Sequence, residues 1–308
     1  MRAFIFPGQG SQAVGMGVAL ADASRAAKDV FDEVDEALGQ NLFRLMRDGP
    51  DEELKLTENA QPAIMAHSIA VLRTLGVRLE EVARFVAGHS LGEYSALCAA
   101  GSFDLTTTAK LLKLRGQAMQ QAVPVGEGAM AALLGADLDL AQRIAEAASN
   151  GEVCTVANDN DPSQVVISGQ KSAIDRAIAI AKDMGAKRAV PLPVSAPFHC
   201  PLMQPAAEAM RDALSYVVLD RPSVPLFANV TAQPESDPDT IRNQLVEQVT
   251  GMVRWRKSVM NMFDAGAHEF VEIGGKVLGS MVKRIVPDAQ VTSVVTIEDV
   301  EAAAKEIA

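Results

Sequence analysis

The chain has 308 residues, 48% of them apolar and only 4% aromatic, with a formal net charge of −11. The length predicts one large domain or two unequal ones, and the Ala-, Leu-, Val- and Met-rich composition suits an α/β globule rather than a β-sandwich. The acidity argues against a general nucleic-acid binder, and no run of 18 apolar residues predicts a membrane span.

In chain order, "RAFIF" reads as a first strand and the opening is too short in apolar residues for a signal peptide. "ASRAAKDVFDEVDEAL" places Ala27, Val30, Phe31, Val34 and Leu38 at helical spacing. "NAQPAIMAHSIAVLRTLG" is a helix with Pro62 early and Gly76 at its end. "RFVAG" is a short strand, "LGEYSALCAAG" the helix after it, and Asp104 caps a helix over "LTTTAKLLKLRGQAMQQA".

The middle changes character. "GAMAALLG", "VCTVAN", "QVVISG" and "KRAVPLPV" read as strands, with helices over "DLDLAQRIAEAASN" and "QKSAIDRAIAIAKDMGA". That β-α-β-β-α-β order is ferredoxin-like. The expected division is therefore a small subdomain at 125–195 inserted into a larger α/β subdomain formed by 1–124 and 196–308, with hinges at "VPVGEG" and "PLPVSAP". A helix "PLMQPAAEAMRDALSYV", a strand-like "VPLFANV", a solvated loop "TAQPESDPDT", further helices and the strand "HEFVEIG" follow.

The strongest chemical signal is Gly88-His89-Ser90-Leu91-Gly92 between a strand and a helix. A G-x-S-x-G sequence in that setting is a nucleophile elbow. Its glycines let neighbouring backbone approach, and the helix N-terminus favours negative charge beside the serine hydroxyl. Serine needs a base within hydrogen-bond reach. Of four histidines, His89 adjoins Ser90 and reads as structural, His67 lies mid-helix and reads as a core or near-surface residue, and His268 reads as a surface residue before a strand. His199, in the Pro-flanked "SAPFHCP" where the chain re-enters the large subdomain, is the favoured base. No acid stands out to orient it; Asp159 and Asp161 read as part of the small subdomain's turn, so a backbone carbonyl is expected in that role. On pattern alone Arg115 is one more solvated helix cation, like Lys110 and Lys113.

The first loop offers a rival. Gly8, Gly10 and Ala13 fit G-x-G-x-x-A after a strand. A dinucleotide fold also needs a second strand ending in an acid about 20 residues on, and Asp29 and Asp32 lie inside a helical pattern instead. There is no P-loop match. Cys98, Cys154 and Cys200 form no CxxC pair, so no metal site is expected and the thiols read as reduced, in a cytoplasm.

Together, "FPGQGSQ", "AGHSLGEYSAL", "RGQAMQ", "ANDNDPSQVVISG", "SAPFHCPLM" and "EIGGKVL" occur in an order that resembles the malonyl-CoA:acyl carrier protein transacylases. "EIGGKVL" is one residue shorter than the family's usual pattern, which bears on the Gly274–Lys276 loop. The resemblance implies a hydrolase-like large subdomain with a short parallel sheet, and a ferredoxin-like small one. It implies Ser90 as nucleophile, His199 as base, and backbone N–H groups of Gln9 and Leu91 as the oxyanion hole. Arg115 would hold the malonyl carboxylate, and Gln248 would orient His199 through its carbonyl. Phe198 would crowd an α-branch, and Asn160 would contact pantetheine. Malonyl-CoA and acyl carrier protein would be substrates, with no cofactor. A free-standing monomer is expected, with a basic rim for the acidic carrier drawn from Arg254, Arg256, Lys257, Lys276, Lys283 and Arg284. The readings that compete with fatty acid synthesis are a polyketide-pathway acyltransferase, a serine hydrolase using His268, and a catalytically dead docking scaffold.

Overall fold

A computed structural model describes residues 1–194 and 196–307. Two sheets organise the chain. The larger takes β1 (Arg2–Phe6), β2 (Phe85–Gly88), β7 (Leu226–Phe227), β8 (Pro234–Glu235), β9 (Glu269–Ile273) and β10 (Gln290–Val294), in the spatial order β10-β9-β1-β2-β7-β8. All its pairings are parallel except β7 with β8. The β8 strand falls within "TAQPESDPDT", where only a solvated loop was expected; two residues are too few to leave a periodic signal. Parallel strands covered on both faces read as continuous apolar runs. This is why "AFIF" and "FVAG" carry no alternation: every residue from Ala3 to Phe6 and from Phe85 to Gly88 is buried.

The smaller sheet holds β3 (Gly128–Leu134), β4 (Cys154–Asp161), β5 (Gln164–Gln170) and β6 (Arg188–Pro191), antiparallel, in the order β4-β5-β3-β6. Helices Leu138–Ser149 and Lys171–Ala181 complete the ferredoxin-like unit and share a separate apolar core with the sheet. The β4 strand runs on through Asp161, so Asp159 and Asp161 belong to a strand and not to the expected turn. Both are buried and point their charges at the larger subdomain, Asp159 pairing with Arg256 at 3.0 Å and Asp161 with Arg284 at 2.8 Å. Main-chain bonds between Ala157, Asp159 and Val253 tie the same strand across. The hinge motif "PLPVSAP" includes Ser195, which lies outside the described residues.

Helix Thr57–Leu75 is buried on nearly all sides, and helix Leu105–Gln121 crosses it at Gly116. A Cβ there would lie 2.5 Å from Glu58 Cα and 2.6 Å from Thr57 O, so only glycine lets these backbones touch. The contact sets Arg115 opposite Gln61 of the facing helix. Alanine would raise helix propensity by about 1 kcal/mol, while forced overpacking costs about 1–3 kcal/mol. Gly116→Ala is therefore expected to destabilise the fold by about 1–2 kcal/mol in urea unfolding, and a net gain in stability would show that the crossing gives way freely.

Candidate active site

Strand β2 ends at Gly88 and helix Gly92–Ala99 begins four residues on, which compresses the turn. Ser90 takes φ 54°, a left-handed conformation that an L-residue adopts only under constraint. A Cβ on Gly88 would meet Gly92 backbone at 1.9 Å, and one on Gly92 would meet Phe6 O at 2.2 Å. Both glycines are thus demanded by close approach. Because β1 lies beside β2, the "PGQG" loop arrives against the elbow, with Gly8 packed on His89 O. The N–H groups of Gln9 and Leu91 have no protein acceptor among the described residues, and both residues line the cavity above Ser90. They are free to stabilise an anionic oxygen there.

His199 Nε2 lies 2.8 Å from Ser90 Oγ, and His199 Nδ1 lies 2.8 Å from the Gln248 carbonyl. A carbonyl only accepts, so Nδ1 carries the proton and the Nε2 lone pair faces the serine O–H. No carboxylate occupies the orienting position. Burial, followed by the Arg115 charge, pushes the His199 imidazole down to about 3, so the ring is neutral near pH 7 and able to accept a proton.

Arg115 is buried, with Nη1 donating to Gln61 Oε1 at 2.8 Å and Nη2 to Gln248 Oε1 at 2.9 Å and Ser90 Oγ at 3.1 Å. Among the described residues no carboxylate forms an ion pair with it, and its Nε has no partner. The helix pattern had made it an ordinary solvated cation; the crossing at Gly116 turns it inward. A buried guanidinium facing only neutral oxygens beside a nucleophile is a receptor for an incoming carboxylate.

The cavity over these groups measures about 290 Å³, and its walls are Met119, Met130, Leu192, Pro193, Val194 and Phe198. Asn158 lines it as well, whereas the Asn160 side-chain oxygen is taken by His89 Nε2 at 2.8 Å. His89 is therefore structural, as its place in the elbow implied. His67 is a buried core residue, its Nδ1 3.2 Å from Gly274 O. The short glycine loop is held from the other side by Glu272, whose carboxylate accepts N–H bonds from Val277, Leu278 and Gly279 at the start of helix Leu278–Ile285. A larger depression of about 620 Å³ beside Lys171 and Asp175 is lined by no histidine, and its Ser172 hydroxyl donates to Glu152 Oε1 at 2.7 Å.

His268 is exposed and precedes β9. The strands are parallel and Ser90 follows the end of β2 while His268 precedes β9, so the two residues lie beyond opposite ends of the strands, about 15 Å apart along them. It cannot serve as the base. The expected basic rim is also reduced: Arg256 and Arg284 hold the subdomain ion pairs, Lys276 pairs with Asp299 at 3.4 Å, and Arg254 donates to Val230 O. Lys257 and Lys283 are exposed and form no ion pair among the described residues.

Three site residues left no readable mark in the sequence. Gln61 sits on the helix facing Arg115. Asn229 accepts from Ser90 N at 2.8 Å and donates to Gly88 O at 2.7 Å, stapling the elbow from just beyond β7. Glu93, wholly buried, is bonded to Gln248 Nε2 and accepts from Asn229 N at 3.2 Å; burial pushes its carboxyl up to about 8, against the pull of Gln248, Asn229 and Arg115.

The fold and site define a serine acyltransferase of the α/β type with an inserted ferredoxin-like unit. The acyl transferase domain family matches residues 3–296, and the chain belongs to it. It is 45% identical over 285 residues to the malonyl CoA-acyl carrier protein transacylase of Escherichia coli K12, covering 92% of each chain. It superposes on the acyl-carrier-protein-S-malonyltransferase of Bartonella henselae with a TM-score of 0.97 at 52% identity, covering 100% of this chain and 99% of that one. A malonyl-transacylase solved in complex with a type II PKS acyl-carrier protein superposes with a TM-score of 0.96 at 39% identity, with 99% of each chain covered. No helix among the described residues is long and apolar enough to cross a membrane.

The depressed His199 fixes a pH dependence. A base works when unprotonated, so lowering its pKa carries activity towards acid. The second-order rate of Ser90 labelling by a fluorophosphonate is expected to stay level from about pH 7 to about pH 5, below the titration of Glu93, with no midpoint near 6.5; a midpoint there would show an ordinary, solvated imidazole.

Proposed function

We propose that this chain is a malonyl-CoA:acyl carrier protein S-malonyltransferase that supplies fatty acid synthesis in the cytoplasm. The observation that carries the reading is Arg115, a buried cation without an anionic partner, in hydrogen-bond contact with the serine that faces His199. Malonyl is an acyl group ending in a carboxylate, and it fits the two functions together.

Ser90 Oγ attacks the malonyl thioester carbonyl as its proton passes to His199 Nε2. The oxyanion takes the N–H groups of Gln9 and Leu91, of which one donor is typically worth about 10²–10³ in rate. Collapse expels CoA, whose sulfur receives the proton, and leaves malonyl-Ser90. The pantetheine thiol of the carrier then attacks the ester, with His199 again moving the proton. Bonds and protons balance with no metal or redox cofactor. Phe198 narrows the space at the acyl α-carbon and disfavours a methyl branch. The Met- and Pro-lined cavity admits the pantetheine arm, with Asn158 at its wall and Asn160 bonded through its side-chain oxygen to His89, which also lines it. One chain supplies every site residue, so a monomer suffices.

Acetyl lacks the carboxylate and leaves the Arg115 charge unpaired, at a cost of about 2–5 kcal/mol. Intact mass measurement after mixing with malonyl-CoA is expected to show one malonyl adduct, absent in Ser90→Ala. Arg115→Ala is expected to cut the malonyl-over-acetyl preference by on the order of 10²-fold or more. Equal labelling of the unmodified protein by acetyl-CoA would remove Arg115 from its role, and rapid release of free malonate without carrier would make the protein a hydrolase.

Of the expected rim, Lys257 and Lys283 are exposed lysines with no ion pair among the described residues, available to an acidic carrier protein. Reversing both charges is expected to raise the KM for carrier several-fold while leaving malonylation of Ser90 unchanged; an unchanged KM would place docking elsewhere. The relative solved with a type II PKS carrier uses the same fold, so the carrier and not the acyl site separates a polyketide role from a fatty acid one.

A further inference from the structure

Glu93 takes no part in the chemistry proposed above, yet its carboxylate is buried within the site's hydrogen-bond network. Its two oxygens face two N–H donors: Asn229 N reaches Oε1 at 3.2 Å, and Gln248 Nε2 is bonded to Oε2. Neither donor can accept in return, so the arrangement suits the ionised carboxylate, which burial disfavours below about pH 8 and which the two donors and the Arg115 charge favour. Each partner then leads to a different part of the site. The Gln248 side-chain oxygen receives Arg115 Nη2 at 2.9 Å, and the Gln248 main-chain oxygen receives His199 Nδ1 at 2.8 Å. The Asn229 side chain receives Ser90 N at 2.8 Å and donates to Gly88 O at 2.7 Å.

We infer that Glu93 is a positioning residue, which fixes the Gln248 amide in the one orientation that presents an oxygen to Arg115 and holds Asn229 under the nucleophile elbow. An amide group can turn end for end at little cost unless its neighbours differ in kind. Here a double acceptor stands on the Nε2 side and a guanidinium on the Oε1 side, so the turned amide would set N–H against N–H at Arg115. Gln248 Nε2 also reaches Ser90 O at 3.0 Å and Asn229 Oδ1 at 3.3 Å, both acceptors, which reinforces the same orientation. Glutamine at position 93 has the same shape but one acceptor and one donor. It can satisfy Gln248 or Asn229, and it meets the other with donor against donor. A buried donor left unpaired is costly, and residues that orient a site's direct contacts typically affect activity about 10- to 100-fold.

This inference rests on the assignment of Ser90, His199 and Arg115 above, and the test separates the two. Single-turnover malonylation and acetylation of Ser90 are measured by intact mass in wild type and Glu93→Gln, at about pH 9, where Glu93 is ionised, and below the unfolding temperature of each. The variant is expected to acylate with malonyl about 10- to 100-fold more slowly, and its malonyl-over-acetyl ratio is expected to fall as Arg115 loses its fixed partner. A merely structural Glu93 would lower the unfolding temperature and leave that ratio untouched, and a folded variant with wild-type rate and ratio overturns the inference. If Glu93→Gln does not fold, Asn229→Ala takes its place. It removes the elbow staple and one weak acceptor of Gln248 Nε2, leaving Glu93 and Ser90 O to hold the Gln248–Arg115 bond, so both acylations are expected to slow with the ratio preserved; undiminished rates overturn the Asn229 half of the network. Failure of wild type to gain malonyl at Ser90 would count against the functional assignment itself.

Discussion

Arg115 is a cation removed from water with nothing negative bonded to it. That arrangement is costly, and the surrounding structure is arranged to bear it. Gln61 and Gln248 turn their oxygens to the guanidinium, Ser90 Oγ adds a third, and the Tyr94 ring lies 5.7 Å away. Burial and the Arg115 charge together hold His199 neutral. One ion thus adds to the burial that keeps His199 neutral, borders the Ser90 hydroxyl and, in the proposed function, reserves a place for a carboxylate. The glycine at 116 permits it by letting two helix backbones meet.

The elbow depends on a second constraint, the lack of space between adjacent parallel strands and the helix that leaves them. Gly8, Gly88 and Gly92 are backbone contacts as much as residues. They bring the N–H groups of Gln9 and Leu91 to one side of a serine held at positive φ. The first loop resembles a phosphate-binding turn because both uses need the same thing, backbone N–H groups exposed by glycine after a strand. The missing acid downstream argues against a dinucleotide, and the pairing of β1 with β2 sets the loop against the elbow at Ser90.

The two subdomains are joined by charge as well as by chain. Asp159 and Asp161, on one buried strand, engage Arg256 and Arg284 across the junction, while the main chain of Val253 continues the small sheet into the larger unit. Two of the cations that crowd the last sixty residues in sequence, Arg256 and Arg284, are spent on these contacts. Charge counted along a chain does not reveal which charges have partners, because the partners lie about a hundred residues away.

The sequence by itself determined most of the strand and helix order, the inserted β-α-β-β-α-β unit and the G-x-S-x-G turn at Ser90, and it singled out His199 among four histidines as the expected base, the one the structure sets 2.8 Å from Ser90 Oγ. Each of these is written locally, in periodicity, glycine spacing or the residues beside a hinge. It could not show that Arg115 points inward, since Lys110 and Lys113 share its helix and its pattern. Nor could it show Gln61, Glu93 or Asn229, which are ordinary residues in helices or loops, or that Asn160 is engaged by His89. Those are long-range contacts, made when helices cross and strands align, and only the tertiary structure decided them. Hydrogen-bond partners far apart in the chain are chosen by packing, and packing leaves its record in space.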